Sequence, residues 1–292
     1  MMAQDDFAFV DAHHHLWDLK ALHYAWLSDQ PFEGHPSGDY SAIMRNYVAQ
    51  DLIEAGKPVN LVKSVHIETA DGETDPVRET AWLQSVSEEF GLPNAIIARG
   101  ELMDDANERQ LDRHMEHANF RGVRMLTFHG PDILADAAFL RGFDALRKRD
   151  LIFDMDADIA HTAKVLDLAA RFPDVRIILG HCGFPKQRSV EYFHAWCKGM
   201  KAIAQAPNIA CKLSGLLMVD HDWTVGSITP WIEQCIAFFG VERCMFGTNW
   251  PLDGLYADYA TLVNAYREVV ADYSADEQRA LFQRSAEHWY RI

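Results

Sequence analysis

The sequence predicts an α/β protein, a (β/α)8 TIM barrel in a single domain, and two observations support this prediction. Short apolar runs recur along the chain, and amphipathic helical stretches lie between them. Strands that alternate with helices favour a parallel sheet with crossover connections. Because there are eight such runs in 292 residues, a length that one barrel domain commonly reaches, we expect the sheet to close on itself.

Eight apolar runs are the predicted strands. They lie near Phe7–Asp11, Leu61–Ile67, Ala95–Arg99, Gly122–Thr127, Leu151–Asp156, Val175–Gly180, Ile209–Leu213 and Arg243–Gly247. The predicted helical stretches include Tyr40–Ala55, Asp75–Phe90, Ala137–Arg149, His161–Phe172 and a C-terminal helix over Ala275–Tyr290. The segment Leu16–Asp39 is rich in Trp, Tyr, Pro and Gly, and we expect it to form a loop over the mouth of the barrel. Loops of that length usually have a function.

Composition and charge exclude several classes of partner. The chain has 27 Lys and Arg against 43 Asp and Glu, a net charge of −16, which argues against binding to nucleic acid or to an anionic membrane surface. No apolar stretch is long enough to cross a bilayer, and the first residues lack the features of a signal peptide. We therefore expect a small-molecule substrate as the partner and leave a homo-oligomer open.

Cysteine usage indicates a reducing environment. The five cysteines are odd in number and include no Cys-x-x-Cys, so neither a disulfide framework nor a thiolate zinc site is indicated. A cytoplasmic location fits this best.

The first strand ends in a histidine triplet. In a barrel of this type the active site lies at the C-terminal ends of the strands. Because side chains alternate along a strand, His13 and His15 share one face and His14 takes the other. Two imidazoles at that spacing can bind one divalent metal or one anion. The alternative is a polar rim in which one histidine caps a loop.

The sixth and eighth strands also end in polar residues. His181 follows an apolar run and precedes Cys182-Gly183, and an imidazole at the mouth is suited to proton transfer. Asn249 and Asp253 follow the eighth strand. Asn249 can hydrogen-bond a water but cannot deprotonate it, whereas Asp253 either acts as a base or caps the helix that begins near Gly254.

Charged residues near the ends of other strands are candidates for substrate binding. Arg124 and Lys212 suit a carboxylate or an oxyanion, although either could instead form an ion pair with Asp154 or Asp156 inside the barrel. Glu68 ends the second strand and is a further candidate for substrate binding.

Two tryptophans of the long loop, Trp17 and Trp26, either line the mouth or only pack the loop. The phosphate-loop, dinucleotide and Gly-x-Ser-x-Gly patterns are absent, so a serine-hydrolase mechanism has no support.

Eight motifs occur in an order that spans nearly the whole chain. They are Asp11–Asp18, Tyr24–Leu27, Val65–Glu68, Asp75–Thr80, Gly122–Arg124, Gly180–Pro185, Cys211–Leu216 and Phe246–Pro251. Together they resemble the amidohydrolase-related family of metal-dependent TIM-barrel hydrolases, which includes lactonases of L-fuconolactone and L-rhamnonolactone and is related to pyrone-dicarboxylate lactonase.

The resemblance implies that His13, His15 and His181 belong to the site and that Arg124 and Lys212 contact substrate. Two departures from the family pattern bear on the metal. Asn249 stands where the superfamily usually has an aspartate, and strand five offers only aspartates where many metal-binding relatives have a histidine or a modified lysine in their middle strands. A complete zinc ligand set is therefore not evident, and because some lactonase relatives work without metal, both a divalent metal, zinc first, and metal-free catalysis stay open.

The sequence thus predicts a hydrolase that opens a small carbohydrate-derived or carboxylated lactone by attack of activated water on the ester carbonyl. In this hypothesis His13 and His15 hold a metal or polarise the carbonyl, His181 assists proton transfer, and Asp253 is the favoured base. A metal-dependent decarboxylase and a non-catalytic binding barrel are the alternatives.

Overall fold

Eight parallel strands form the central sheet in the computed structural model, which describes residues 7–31, 33–69, 75–125 and 132–292. The strands are β1 (Phe9–His14), β2 (Leu61–Ile67), β3 (Ala95–Arg99), β4 (Phe120–Arg124), β5 (Ile152–Met155), β6 (Ile177–Leu179), β7 (Ile209–Leu213) and β8 (Cys244–Phe246). They lie in sequence order, and each pairs in parallel with the next. The predicted (β/α)8 barrel is confirmed.

Helices connect the strands and surround the sheet. The α-helices within the described residues are α1 (Ala25–Ser28), α2 (Ala49–Gly56), α3 (Val77–Phe90), α4 (Asn107–His114), α5 (Ala137–Lys148), α6 (Thr162–Arg171), α7 (Val190–Ile203), α8 (Val225–Phe239), α9 (Tyr259–Val269), α10 (Ala275–Arg279) and α11 (Ser285–Tyr290). Five of them begin at a side chain that accepts a hydrogen bond from a backbone N–H of the first turn, namely Asp136, Ser189, Thr224, Asp258 and Ser274. Such caps satisfy donors that a helix leaves unpaired at its start. None of the helices in the described ranges has both the length and the apolar character of a membrane span.

The barrel closes where the ends of β1 and β8 meet. The backbone N–H of Asn249 donates to the carbonyl of His13 (2.7 Å), and the N–H of His15 donates to the carbonyl of Trp250 (2.7 Å). The buried carboxylate of Asp11 accepts from the backbone and the hydroxyl of Thr248. These contacts place the histidines of β1 beside the residues that follow β8.

The barrel interior is filled by aliphatic side chains from alternating strand positions, for example Val10, Val65, Ile152 and Ile178. The chain's last helix closes the opposite end of the barrel. Trp289 and Tyr290 belong to the same interior cluster. Arg176, which precedes β6, donates to the backbone carbonyls of residues 288 and 289. Arg121, near the start of β4, donates to the carbonyl of residue 291. The last helix therefore covers the interior at the N-terminal ends of the strands.

Strand ends differ from the predicted ones by up to three residues, as at β1 (Phe9–His14 against the predicted Phe7–Asp11), and two predicted helices differ in more than their ends. The predicted helix Tyr40–Ala55 is helical only from Ala49, after a 3-10 turn over Ser41–Ile43. The reason is that Tyr47 pairs its backbone with Trp17 in both directions (2.8 and 3.0 Å), which requires extended backbone. The C-terminal segment was predicted as one continuous helix. In the structure a π turn, Ala280–Arg284, separates α10 from α11. Leu126 and Thr127 of the predicted fourth strand lie outside the described residues.

The long loop after β1 does cover the mouth. It contains α1, and the indole N–H of Trp26 donates to the carbonyl of Thr69 beyond β2 (2.9 Å). On the other side of the barrel the carbonyl of Pro36 lies 3.3 Å from Nε2 of His221, and the hydroxyl of Tyr256 donates to the carbonyl of Ser37. The loop thus extends from β2 to the connections that follow β7 and β8.

Candidate active site

Three histidines meet beneath this loop. Nε2 of His13 lies 3.2 Å from Nε2 of His15, and the ring centroids of His13 and His181 are 4.5 Å apart. All three side chains are buried. The structure therefore brings together the three histidines that the sequence singled out, at the predicted end of the barrel.

An irregularity in β1 turns the histidine pair toward the barrel axis. Val10 and Ala12 already belong to the interior cluster, so strict alternation would continue with His14. The pairing of β1 with β2 shifts by one residue between Asp11 and His14, as a bulge does, and His13 and His15 then take the inward positions. His14 lies instead against His66, with ring centroids 5.8 Å apart.

His181 is held by an unusual backbone. His181 and Cys182 both have positive φ angles (51° and 54°), which non-glycine residues adopt rarely and chiefly at functional sites. Nδ1 of His181 lies 2.9 Å from the hydroxyl of Ser214. A Cβ at Gly215 would lie 2.2 Å from the same nitrogen, so only glycine leaves room for this imidazole.

Lys212 lies beneath the histidines. The sequence predicts a substrate contact for Lys212, whereas the structure buries it completely (0 % exposed) and gives its Nζ three protein partners. These are both carboxylate oxygens of Asp154 (2.8 and 2.7 Å) and Nδ1 of His13 (2.8 Å). Burial lowers the pKa of Lys212, and the carboxylate of Asp154 counteracts that shift. An ammonium has three N–H donors, so none is left for a substrate.

These contacts determine where the imidazole protons lie. Because an ammonium only donates, Nδ1 of His13 accepts from Lys212 and the ring proton of His13 is on Nε2. The carbonyl of Ile67 only accepts, so Nδ1 of His15 carries a proton and donates to it (2.8 Å). Nε2 of His13 therefore donates to Nε2 of His15. The chain of hydrogen bonds runs in one direction from Lys212 to Ile67.

Burial keeps the three imidazoles neutral. Desolvation lowers the pKa of His13, His15 and His181 well below the ordinary value of 6.5, and the positive charges of Lys212 and Arg124 add to the shift at His181. Within the described residues Nε2 of His181 has no hydrogen-bond partner. The site therefore contains a neutral imidazole whose Nε2 is open to a water or a substrate.

Arg124 is held by acidic neighbours. Its Nε donates to a carboxylate oxygen of Glu68 (2.7 Å), its Nη2 donates to the backbone carbonyl of Glu68 (2.7 Å), and its Nη1 lies 3.5 Å from the carboxylate of Asp156. The structure thus realises the ion pair that the sequence left open. Arg124 remains slightly accessible (7 % exposed), unlike Lys212.

Asn249 and Asp253 form a separate pair. The amide of Asn249 donates to Oδ1 of Asp253 (2.9 Å), and Oδ2 of Asp253 has no partner among the described residues. Burial raises the pKa of Asp253 to about 7, opposed by hydrogen bonds from Asn249 and the backbone of Leu217. Asp253 begins a 3-10 turn, and its side chain makes no capping hydrogen bond, so the predicted alternative of a helix cap is wrong.

The two tryptophans of the loop behave differently. Trp17 is completely buried and donates to the carbonyl of Arg45, so it packs the loop rather than lining the mouth. Trp26 is partly exposed, and its ring is stacked parallel to His35 with centroids 5.7 Å apart. For Trp17, therefore, the alternative of packing the loop is the one that holds.

His129, which follows the fourth strand, lies outside the described residues.

Sequence reasoning missed Tyr290. Its hydroxyl donates to Oδ2 of Asp154 (2.7 Å) from the far end of the barrel. The predicted C-terminal helix carried no signal that its last turn enters the barrel interior.

Comparison with known proteins decides the family. A family model described as amidohydrolase matches residues 10–292. The chain belongs to the amidohydrolase family. An uncharacterized protein of Sinorhizobium fredii is 39% identical over 98% of this chain and 99% of its own length. The L-fucono-1,5-lactonases of Burkholderia ambifaria and Burkholderia multivorans are 26% and 28% identical, over 97% of this chain and 95% and 96% of their own lengths.

Solved structures share the fold of this amidohydrolase. An amidohydrolase from Burkholderia multivorans superposes with a TM-score of 0.84 at 23% identity, covering 98% of this chain and 99% of that one. A second crystal form of that protein, described with bound zinc, gives 0.83 at 22% identity over the same shares. A manganese-bound 5-carboxyvanillate decarboxylase from Novosphingobium aromaticivorans gives 0.68 at 15% identity over 99% of this chain and 97% of that one.

The donor set of this chain fits a resident metal poorly. The distance between the Nε2 atoms of His13 and His15 suits neighbouring ligands of one ion. Within the described ranges, however, no group of three or more His, Cys, Asp or Glu side chains is placed to hold a metal. Metal-bound histidines usually donate their second ring N–H to an acceptor, but the second nitrogen of His13 faces the ammonium of Lys212. The described residues therefore do not supply a complete ligand set for a metal ion.

Proposed function

We propose that this amidohydrolase hydrolyses the lactone of a neutral sugar acid. The observation that carries the proposal is the charge balance of the mouth. Arg124 and Lys212 face three carboxylates, those of Glu68, Asp154 and Asp156. Among the described residues near the histidines these cations are thus already neutralised. A carboxylated lactone would bring a further negative charge to a site whose described cations are already paired, whereas a neutral polyol lactone needs only hydrogen bonds.

The names of the relatives support the same substrate class. Two relatives that match almost the full length of this chain are L-fucono-1,5-lactonases. A structural neighbour from Acinetobacter baumannii, described as a probable 2-pyrone-4,6-dicarboxylic acid hydrolase, is 12% identical at a TM-score of 0.75. Its identity is too low to support more than a common fold, so the charge argument favours the sugar lactone.

In the proposed reaction His181 is the base. A water placed at its Nε2 loses a proton to the neutral imidazole and attacks the lactone carbonyl. The imidazolium then returns that proton to the ring oxygen as the ester bond breaks, which gives the free hydroxy acid. The hydroxyl of Ser214 holds the other ring nitrogen, so the orientation of His181 is fixed through both transfers.

Arg124 stabilises the oxyanion in this proposal. A guanidinium has five N–H donors. Among the described residues two of those of Arg124 are hydrogen-bonded to Glu68 and one faces the carboxylate of Asp156 at 3.5 Å, so two are left there for a substrate oxygen. Charge that develops on the carbonyl oxygen is stabilised by donors fixed in advance by the protein. His13 and His15 form the wall beside His181 and supply no free proton, because each is used in the chain from Lys212.

The sequence favoured Asp253 as the base. In the proposed reaction Asp253 instead supports Asn249. Burial raises the pKa of Asp253, hydrogen bonds from Asn249 and Leu217 oppose the rise, and none of the charges beside the histidines contributes. Its contact with Asn249 orients that amide at the end of β8. We therefore assign Asp253 to the support of Asn249 rather than to proton transfer.

A panel of substrates tests the proposal. The purified protein is assayed for acid release with L-fucono-1,5-lactone, other neutral sugar lactones and 2-pyrone-4,6-dicarboxylate, each with and without EDTA. We expect kcat/KM for a neutral sugar lactone to exceed that for the carboxylated lactone by about a hundredfold, equivalent to roughly 2.7 kcal/mol. EDTA should leave the rate unchanged, and His181→Asn serves as the inactive control.

Other outcomes identify the alternatives. A preference for the carboxylated lactone would contradict the charge argument. Loss of activity in EDTA that zinc or manganese restores would contradict the metal-free mechanism. Release of carbon dioxide from an aromatic acid such as 5-carboxyvanillate would identify a decarboxylase, and a rise in melting temperature without turnover would identify a binding protein.

A further inference from the structure

A buried tyrosine at the end of the chain contacts the site from below. Tyr290 lies on α11, is 0 % exposed and packs in the interior cluster with Val10, Ile152 and Ile178. Its hydroxyl donates to Oδ2 of Asp154 at 2.7 Å. Burial and the neighbouring carboxylate raise the pKa of Tyr290 well above its ordinary value, so the hydroxyl keeps its proton and stays a donor.

The carboxylate of Asp154 is thereby held in one orientation. Both of its oxygens accept from Nζ of Lys212, and the hydroxyl of Tyr290 is a further donor to Oδ2. With two N–H groups of Lys212 directed at Asp154, the third points to Nδ1 of His13. In the series from Tyr290 through Asp154 and Lys212 to His13, each residue fixes the direction of the hydrogen bond that the next one makes.

We propose that Tyr290 is a positioning residue, which acts through Asp154 and Lys212 to hold His13 in the form protonated on Nε2. The inference rests on the proposed function only for its effect on turnover. Without the hydroxyl, the Asp154 carboxylate can rotate, Lys212 can turn its third N–H away from His13, and the His13 proton is then free to occupy either nitrogen. His13 lies against His181, so a mixture of the two forms changes the wall beside the proposed base.

The variant Tyr290→Phe tests this, because it keeps the ring that fills the barrel interior. Tyr266→Phe is the matched control. Tyr266 is also 0 % exposed, and its hydroxyl also makes one buried hydrogen bond, to the carbonyl of Gly247 (3.1 Å), but it has no contact with Asp154. Circular dichroism and melting temperature establish that both variants are folded.

The first measurement needs no substrate. In protein labelled with 15N histidine, His13 of the wild type should show Nδ1 as the nitrogen without a proton and Nε2 as the protonated one. Tyr290→Phe should shift both His13 signals toward the average of the two forms, and Tyr266→Phe should leave them unchanged. Wild-type His13 signals in Tyr290→Phe would overturn the proposal, whatever the activity of the protein.

The second measurement is turnover of the lactone that the panel identifies. Tyr290→Phe should lower kcat about tenfold and change KM by less than about twofold, since the hydroxyl touches no substrate. In the Asp154→Asn variant, Tyr290→Phe should lower kcat no further, because the carboxylate that the hydroxyl of Tyr290 orients is already absent. An equal loss of kcat in Tyr266→Phe, or additive effects in the double variant, would reduce Tyr290 to a structural role. Absence of any lactone turnover would contradict the proposed function alone.

Discussion

Replacing Asp253 with asparagine separates the two candidate bases. The carboxyl is completely buried, and burial raises its pKa from 3.8 to about 7. Ionising it in the folded protein at high pH therefore costs about 4 kcal/mol relative to the unfolded chain. Because the folded pKa is the higher one, the stability contributed by the protonated carboxyl is fully present below pH 3.8 and is lost as the pH rises through about 7.

Asp253→Asn removes that cost but also weakens a hydrogen bond. The amide of Asn249 now donates to a neutral oxygen, and among the described residues the new amide has no acceptor at the position of Oδ2, which together cost about 2–3 kcal/mol. We expect a net gain of about 1–2 kcal/mol at pH 8.5, or about 2–6 °C in Tm, and a difference at pH 5 that is smaller or reversed. Since His181 is the proposed base, kcat should stay within about fivefold of the wild type, well short of the loss expected for a base.

The assay is thermal unfolding at both pH values together with kcat on the same preparation. Asp258→Asn is the control, because it neutralises an exposed helix cap and should give no gain at pH 8.5. A fall in kcat by roughly two to four orders of magnitude would show that Asp253 is the base, as the sequence suggested. We expect the difference in stability between Asp253→Asn and the wild type to favour the variant more at pH 8.5 than at pH 5. The opposite order would refute the argument from burial.

Two further predictions address the other groups of the site. Arg124→Met should lower kcat/KM at least about tenfold, equivalent to ~1.4 kcal/mol, and should destabilise the fold by about 3–5 kcal/mol because Glu68 is left buried and unpaired. Adding Glu68→Gln should restore part of the stability but not the activity; full activity in either folded variant would make Arg124 purely structural. The pH profile of kcat/KM should stay flat from pH 8 down to pH 6, because burial holds the pKa of His181 well below 6.5. A decline centred near pH 7 would instead match the pKa of Asp253.

The sequence was sufficient for the barrel and for the identity of the three histidines. Strand positions follow from apolar runs, and the rule that barrel sites lie at the C-terminal ends of strands selects His181 from fourteen histidines. Alternation within the triplet predicted that His13 and His15 share one face. Their inward direction depends on the register shift between Asp11 and His14, which no residue pattern indicates.

Roles that depend on long-range partners could not be predicted. Lys212 has the side chain of an anion receptor, and only the structure shows that Asp154 and His13, which are 58 and 199 residues away, take all its donors. The orientation of Tyr290 depends on the path of the last helix under the barrel. Propensity and spacing describe neighbours along the chain, whereas these contacts are set by closure of the barrel.

Closure at both ends also explains why the imidazoles are neutral. The C-terminal residues fill one end of the barrel. The loop after β1, which is hydrogen-bonded to Thr69, His221 and Tyr256, covers the other. Water is thereby kept from stabilising an imidazolium, which lowers the pKa of the histidines. In the proposed reaction the same exclusion of water would strengthen the hydrogen bonds of Arg124 to a developing oxyanion, since both effects come from the low local dielectric. A substitution that opened the covering loop should therefore raise the histidine pKa values and weaken oxyanion stabilisation together.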